Sequence, residues 1–289
     1  MKHAYLIIAH NRPELLKNLV EMIDDERNDI FIHIDKKSNI KDFANIKSLK
    51  SELFFTKERI NVVWADYSQI ETELVLFREA SSYGHYQYYH LLSGIDIPIK
   101  NQDTIHQFFD VNAGKEFVGY MTGKENDLLL SRRADLYHIC TQQGRTRVGV
   151  MLSQLRRAFC VLQRMVGFKR KHDITLKIGP NWVSITDDFC RWIIEKSDSQ
   201  VMRNFKYTSC GDELFVQSLL WNSPFKEAIY QKGENSFEGC MRLIDWTRGN
   251  PYIFQIADID EIMASNRMFC RKVTDINLAK EIRNRIENQ

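Results

Sequence analysis

Ala4-Tyr5-Leu6-Ile7-Ile8-Ala9 is an unbroken apolar run, and Arg12-Pro13-Glu14 follows it with a proline where a helix can begin. Leu15, Leu16, Leu19, Val20 and Ile23 then recur at helical spacing. Asn28-Asp29 leads into a second buried run, Ile30-Phe31-Ile32-His33-Ile34-Asp35, which ends on an acid and passes to Lys36-Lys37-Ser38. Strand, helix and strand in that order make a β-α-β unit. A third strand is expected over 60–64 and its helix over 70–80, where Ile70, Leu74 and Phe77 share one side. Tyr86-Gln87-Tyr88-Tyr89-His90-Leu91-Leu92 reads as a central strand, stopped by Ser93-Gly94. This alternation predicts the α/β class, with a mostly parallel central sheet and helices on both faces. Ligands of such sheets sit beyond the carboxyl ends of the strands, which points to His10, Asn11, Asp35, Trp64, Asp66 and Asp96.

The 289 residues, 44% of them hydrophobic, suffice for one large core and suggest a single unit with no internal boundary. Forty basic against thirty-eight acidic residues leave a formal charge of +2, so no global field draws the chain to nucleic acid or membrane. The first apolar run is too short for a signal peptide, and no stretch approaches the roughly 18 apolar residues of a membrane span. A soluble, intracellular protein is expected. Cys140, Cys160, Cys190, Cys210, Cys240 and Cys270 form no C-x-x-C pair, which argues for buried free thiols rather than a zinc site.

One region departs from this balance. Residues 131–172 carry ten Lys and Arg (Arg132, Arg133, Arg145, Arg147, Arg156, Arg157, Arg164, Lys169, Arg170, Lys171) against the single acid Asp135. Val148, Met151, Leu155, Phe159, Leu162 and Val166 follow a helical stripe within it. Two readings apply: a helix packed on the core with a solvated basic rim, which is favoured, and peripheral contact with an anionic membrane. Nucleic acid is disfavoured because Tyr137, Phe159 and Phe168 are not interleaved with the arginines.

Phosphate-binding loops of the G-x-x-x-x-G-K-[ST] and G-x-G-x-x-G types are absent. The Asp-x-Asp at Asp258-Ile259-Asp260, a pattern that can hold a divalent cation at a strand end, runs into Glu261-Ile262-Met263 and reads instead as the first turn of a helix. Taken singly, Asp35 is either a nucleoside acceptor or a turn cap, Asp96 a turn residue of Ser93-Gly94-Ile95-Asp96-Ile97-Pro98, and Glu213 a solvated acid at a helix start.

As a set these residues resemble the core-2/I-branching β-1,6-N-acetylglucosaminyltransferase family, which includes protein O-xylosyltransferases and bacterial relatives. Seven blocks carry the resemblance in order: residues 4–10; Ile32-His33-Ile34-Asp35-Lys36-Lys37; Val62-Val63-Trp64; Leu91 through Lys100; Asp212-Glu213; Arg242-Leu243-Ile244-Asp245-Trp246; and Phe269-Cys270-Arg271-Lys272. The resemblance implies a GT-A-like glycosyltransferase fold in one domain, 1–289, with a nucleotide-binding half over 1–120 and an acceptor-binding and catalytic half over 121–289. It implies an inverting transferase that needs no metal or other cofactor and moves a sugar, GlcNAc first, from a UDP-sugar to a carbohydrate hydroxyl in β-linkage, β-1,6 in the branching enzymes. Glu213 matches the catalytic base, Lys272 the lysine on the diphosphate, and Asp35 and Trp64 the acid and aromatic at the uridine. Trp246 matches the tryptophan against the acceptor sugar, and Asp212 stands beside the base on that acceptor side. His10 and Asp96 line the donor cleft. The second phosphate cation falls on Arg248 after a one-residue shift, with Arg271 as rival.

A carbohydrate or lipid-linked glycan is the acceptor class this implies. No membrane anchor precedes the matched blocks, which suits a bacterial cytoplasmic enzyme, peripheral at the inner membrane surface through 131–172. UDP-xylose or another UDP-hexose is the alternative donor, and a non-catalytic carbohydrate- or membrane-associated protein the alternative class.

Overall fold

The computed structural model describes residues 1–139, 141, 147–233 and 236–288; Cys140 and Arg145 lie outside the described residues. The chain opens with β1 (His3–Ala9), α1 (Pro13–Ile23) and β2 (Asn28–Ile34), the unit the apolar runs predict. Pro13 stands in the first turn of α1, whose buried side carries Leu15, Leu16, Leu19, Val20 and Ile23. Next come β3 (Glu52–Phe55), α2 (Ser68–Tyr83), β4 (Tyr88–Ser93), β5 (Ile97–Pro98), α3 (Gln102–Val111), α4 (Lys124–Ala134) and α5 (Arg147–Met165). The remainder holds β6 (Ser184–Thr186), α6 (Asp187–Lys196), α7 (Asp212–Trp221), β7 (Arg242–Ile244), α8 (Ile259–Ala264), β8 (Phe269–Arg271) and α9 (Ile276–Glu287).

Five strands form the main sheet in the order β3-β2-β1-β4-β6. Four are parallel, and β6 joins β4 antiparallel. Because side chains alternate across a strand, β1 serves two cores. Ala4 and Leu6 pack with Ile70, Leu74 and Phe77 of α2, whereas Tyr5, Ile7 and Ala9 pack with Leu16, Leu19 and Val20 of α1. Helices therefore cover both faces, as the α/β reading requires.

The third strand differs from the sequence expectation. Residues 60–64 form an irregular loop, and β3 at Glu52–Phe55 takes the place beside β2. With that edge filled, the 60–64 backbone is satisfied piecemeal: Ile60 donates its N–H to His33 Nε2 at 2.8 Å and Val63 to Ser68 Oγ at 2.9 Å.

A second, three-stranded sheet ordered β5-β8-β7 was not legible in the sequence. Its core joins Ile97, Ile99, Cys270 and Val273 to Leu278, Ala279 and Ile282 of α9. Arg242, fully inside, ties it to the main sheet by donating to Ser184 Oγ at 2.9 Å and to the Val183 carbonyl at 2.7 Å. Burial lowers the Arg242 pKa to about 10.

The favoured reading of the basic segment is overturned. Helix α5 forms as expected, yet it buries only Gly149, Cys160 and Gln163 and leaves Val148, Met151, Leu155 and Leu162 of its apolar stripe exposed, with Phe159 half-buried. No helix among the described residues is long and apolar enough to cross a membrane. The five described cysteines are buried free thiols.

Candidate active site

The carboxyl ends of β1, β2 and β4 lie side by side, because Ala9 is in register with Ile34 and Ile8 with Ser93. Each hands over to a predicted site residue. His10 follows β1, is exposed, and accepts the Ser38 hydroxyl on its carbonyl at 2.5 Å. Asp35 follows β2; its backbone N–H reaches the Ala9 carbonyl at 2.9 Å, and its buried carboxylate accepts the Lys37 N–H at 2.9 Å and faces the Lys37 ammonium at 3.0 Å. Asp35 thus does cap its turn. Lys37 also reaches the Val62 carbonyl, and Arg59 donates to the carbonyls of Ile34, Asp35 and Ser38 at 2.9, 2.7 and 2.6 Å, so the loop leading to Trp64 is pinned against the end of β2. Trp64 itself is 70% exposed.

Beyond β4, Asp96 is buried, accepting the Ser93 N–H at 2.6 Å and the Arg271 guanidinium at 2.6 Å. Arg271 also donates to Ser93 Oγ at 2.7 Å and lies 4.1 Å over the ring of Trp182. Its positive charge is therefore neutralised internally. Lys272, next in the chain, is half-buried and has no carboxylate within ion-pair distance among the described residues. Its pKa is lowered, first by burial and then by the neighbouring Arg271 charge.

Trp182 connects this cation pair to the predicted base. The preceding residue, Asn181, donates to Asp212 Oδ2 at 3.2 Å, and Gln69 of α2 donates to the same oxygen at 2.8 Å. Residues 179–182 reach this position because the chain passes flat against itself: a Cβ on Gly179 would lie 2.0 Å from the Gly119 carbonyl oxygen, and the Gly179 N–H donates to the Glu213 carbonyl at 3.0 Å. Asp212 and Glu213 occupy the first turn of α7, where acids suit the helix dipole. Glu213 stays half-exposed and is ion-paired with Arg133 of α4. Burial opposes the Arg133 charge, but the Glu213 carboxylate more than offsets it, and the guanidinium pKa lies above its usual value.

Behind Glu213 the environment is dry. Burial, with the Glu213 charge adding to it, pushes the Asp212 pKa up to about 7. Glu73 of α2 is fully buried, with neither carboxyl oxygen hydrogen-bonded to a described residue. Burial first and the Asp212 charge second raise its pKa well above the usual carboxylate range.

Two predicted residues stand apart from this chain of contacts. Trp246, just past β7, is 47% exposed with its ring edge-on to Phe237 at 6.2 Å. Arg248 is held by three carboxylates: Asp245, Asp258 at 3.1 Å and Glu261 at 2.7 Å. Asp258 meanwhile caps the short helical turn before α8, as the helix-start reading of Asp258-Ile259-Asp260 expects. Among the described residues, no group of three or more His, Cys, Asp or Glu side chains could hold a metal ion.

Arg133, Gln69, Asn181, Trp182 and Glu73 were missed at the sequence level. Arg133 was counted only as part of the basic stretch. The Gly179-Pro180-Asn181-Trp182 run, a turn-forming stretch ending on a tryptophan, was the one available signal for two of the others.

Residues 3–263 match the family described as Core-2/I-Branching enzyme. Xylosyltransferase 2 of Rattus norvegicus is 22% identical over 290 residues, covering 93% of this chain but 31% of the relative, and that of Homo sapiens is 21% identical with the same coverage. The chain thus spans about a third of the length of these curated relatives. A human beta-1,3-galactosyl-O-glycosyl-glycoprotein beta-1,6-N-acetylglucosaminyltransferase is 31% identical over 101 residues, 34% of this chain and 24% of the relative. Among solved structures, mouse xyloside xylosyltransferase 1 in its apo form aligns with a TM-score of 0.39 and 10% identity, over 93% of this chain and 96% of that one. With nearly its whole length matched, the chain belongs to the Core-2/I-branching enzyme family.

Proposed function

We propose that the chain is an inverting glycosyltransferase of GT-A-like fold that moves a sugar from a UDP-sugar to a carbohydrate hydroxyl without a metal. The observation that carries this reading is the continuous contact from Lys272 and Arg271 through Trp182 and Asn181 to Asp212 and Glu213 at the carboxyl end of the sheet. It links a half-buried cation that has no carboxylate partner among the described residues to the half-exposed Glu213 through side chains in contact with one another. Residues 1–120 supply the uridine side, with Asp35 at the end of β2 and Trp64 in the loop after β3; residues 121–289 supply base and acceptor side.

In this reading Glu213 takes the proton of the acceptor hydroxyl as that oxygen attacks the anomeric carbon, a contribution of about 10²–10⁴ in rate. Attack from one side while UDP leaves from the other inverts the configuration. Arg133 holds the Glu213 carboxylate until the hydroxyl arrives. Lys272 faces the charge that grows on the departing diphosphate. Arg271, locked by Asp96 and Trp182, fixes the backbone from which Lys272 extends, and it is favoured over Arg248, whose three carboxylates leave that cluster net negative.

Similarity to the xylosyltransferases spans 93% of the chain and that to the N-acetylglucosaminyltransferase 34%, which favours UDP-xylose over UDP-GlcNAc as donor. Calorimetric titration with UDP, UDP-xylose and UDP-GlcNAc in EDTA tests the proposal. Metal-free UDP binding is expected, with UDP-xylose the tighter sugar donor. No binding without Mn²⁺ would overturn the cation-held diphosphate. Repeating the UDP titration with Arg248→Ala and Arg271→Ala assigns the second cation; loss of affinity in Arg248→Ala alone would move that role to Arg248, released from its acids on binding.

A further inference from the structure

We propose that the exposed face of α5 is a docking surface for an anionic phospholipid bilayer. This stands apart from the transfer reaction and does not depend on it. Over 19 residues α5 carries Arg147, Arg156, Arg157 and Arg164 and no Asp or Glu. Its apolar residues face water: Met151 is 63% exposed, Leu155 59%, Leu162 55% and Val166 70%, with Val148 and Met165 exposed beside them. Single exposed hydrophobics need no explanation, but several on one side of a helix and its C-terminal extension, with only Phe159 among them half-buried, do. None of the four arginines pairs with a described carboxylate, so the charge on the helix is unneutralised within the chain among the described residues. Exposed apolar residues on one side of a helix that carries uncompensated cations on its other sides match a surface that offers hydrocarbon below a layer of phosphate.

The end of the helix adds a second observation. A cleft of about 550 Å³ opens between α4 and the end of α5, lined by Leu128, Phe168, Arg132, Arg164, Lys169 and Asp135. Lys169 answers Asp135 at 3.1 Å, which leaves Arg132 and Arg164 for a headgroup phosphate. Arg170 is not part of this face: it is buried and donates to the carbonyls of Arg203 and Lys206 at 3.1 and 3.0 Å. A second copy of the chain fits the stripe poorly, because a two-fold contact of α5 on α5 sets four arginines against four with no acid between them. Nucleic acid leaves the apolar stripe unused.

Flotation of the full chain with phosphatidylcholine vesicles, and with vesicles that also contain phosphatidylglycerol, tests this. Flotation with the anionic vesicles alone, reversed by raised salt, is expected. Leu155→Glu with Leu162→Glu should abolish it, and Arg157→Gln with Arg164→Gln should weaken it about 25-fold, at roughly fivefold per lost cation. All four positions are exposed, so the variants should keep the parent melting temperature. Failure of the parent chain to float with anionic vesicles, or equal flotation with neutral ones, would overturn the proposal. So would a dimer in light scattering that Leu155→Glu dissociates, which would assign the face to a second copy.

Discussion

Glu213 and Arg271 show how little a residue's own neighbours in sequence say about its work. In sequence Glu213 is one acid at a helix start; in space it meets Arg133, 80 positions away, and stands in front of the buried Asp212 and Glu73. Glu213→Gln keeps the shape and removes the proposed base, so transfer should fall by about 10²–10⁴ with UDP affinity unchanged, read from kcat and a UDP titration side by side. An equal fall in UDP affinity would make Glu213 a structural residue. Lys272→Ala should instead weaken UDP binding, since it withdraws a charge that no carboxylate among the described residues meets. Asp96, expected in the donor cleft, is inside the protein and spends its carboxylate on Arg271. Asp96→Ala would leave that guanidinium without its ion partner, and a stability loss of about 3–5 kcal/mol in chemical denaturation is expected. A loss under about 1 kcal/mol would show that Ser93 and Trp182 hold Arg271 unaided.

At the scale of elements, those with a strong local period were legible and those defined by partners were not. β1, α1 and β2 follow from apolar runs and a first-turn proline. β3 was misplaced because Leu53-Phe54-Phe55 is too short to announce itself, while 60–64 has the right composition but no free edge to pair with. The β5-β8-β7 sheet, of two- and three-residue strands, exists only through its pairing. The extended 179–182 segment, which carries Asn181 and Trp182, likewise depends on a close approach that only glycine permits. Gly179→Ala would drive a Cβ into the Gly119 carbonyl oxygen. A stability loss of about 1–3 kcal/mol is expected, together with reduced transfer as Asn181 and Trp182 shift. Unchanged melting and activity would show that the two segments separate without cost.

For the molecule as a whole, buried ionisable groups set the pH response. Burial raises the pKa of Asp212 and of Glu116 to about 7 and raises that of Glu73 too, so the folded state keeps protons that the unfolded chain, with carboxylates near 4, has lost. Their contribution to stability is present at low pH and is lost as pH rises through these folded values. His3, His33 and His90 act in the opposite sense, because burial depresses their pKa values below 6.5 and stability falls as pH drops through that value. Both sets of shifts act over about pH 4 to 7, the carboxyls lowering stability as pH rises and the histidines raising it, so Asp212→Asn should remove part of the carboxyl loss and steepen the rise in melting temperature over that range. An unchanged slope in Asp212→Asn between about pH 4 and 7 would refute the raised Asp212 pKa. The sequence by itself determined the β-α-β alternation, the parallel sheet and the family blocks, because strand and helix periods, proline placement and motif order are local properties of the chain. Only the tertiary structure decided that Arg133 faces Glu213, that Asp96 locks Arg271, that Trp182 joins the two ends of the site and that α5 turns its apolar stripe outward. Each of these depends on which distant surfaces meet, and that is set by packing rather than by any neighbour along the chain.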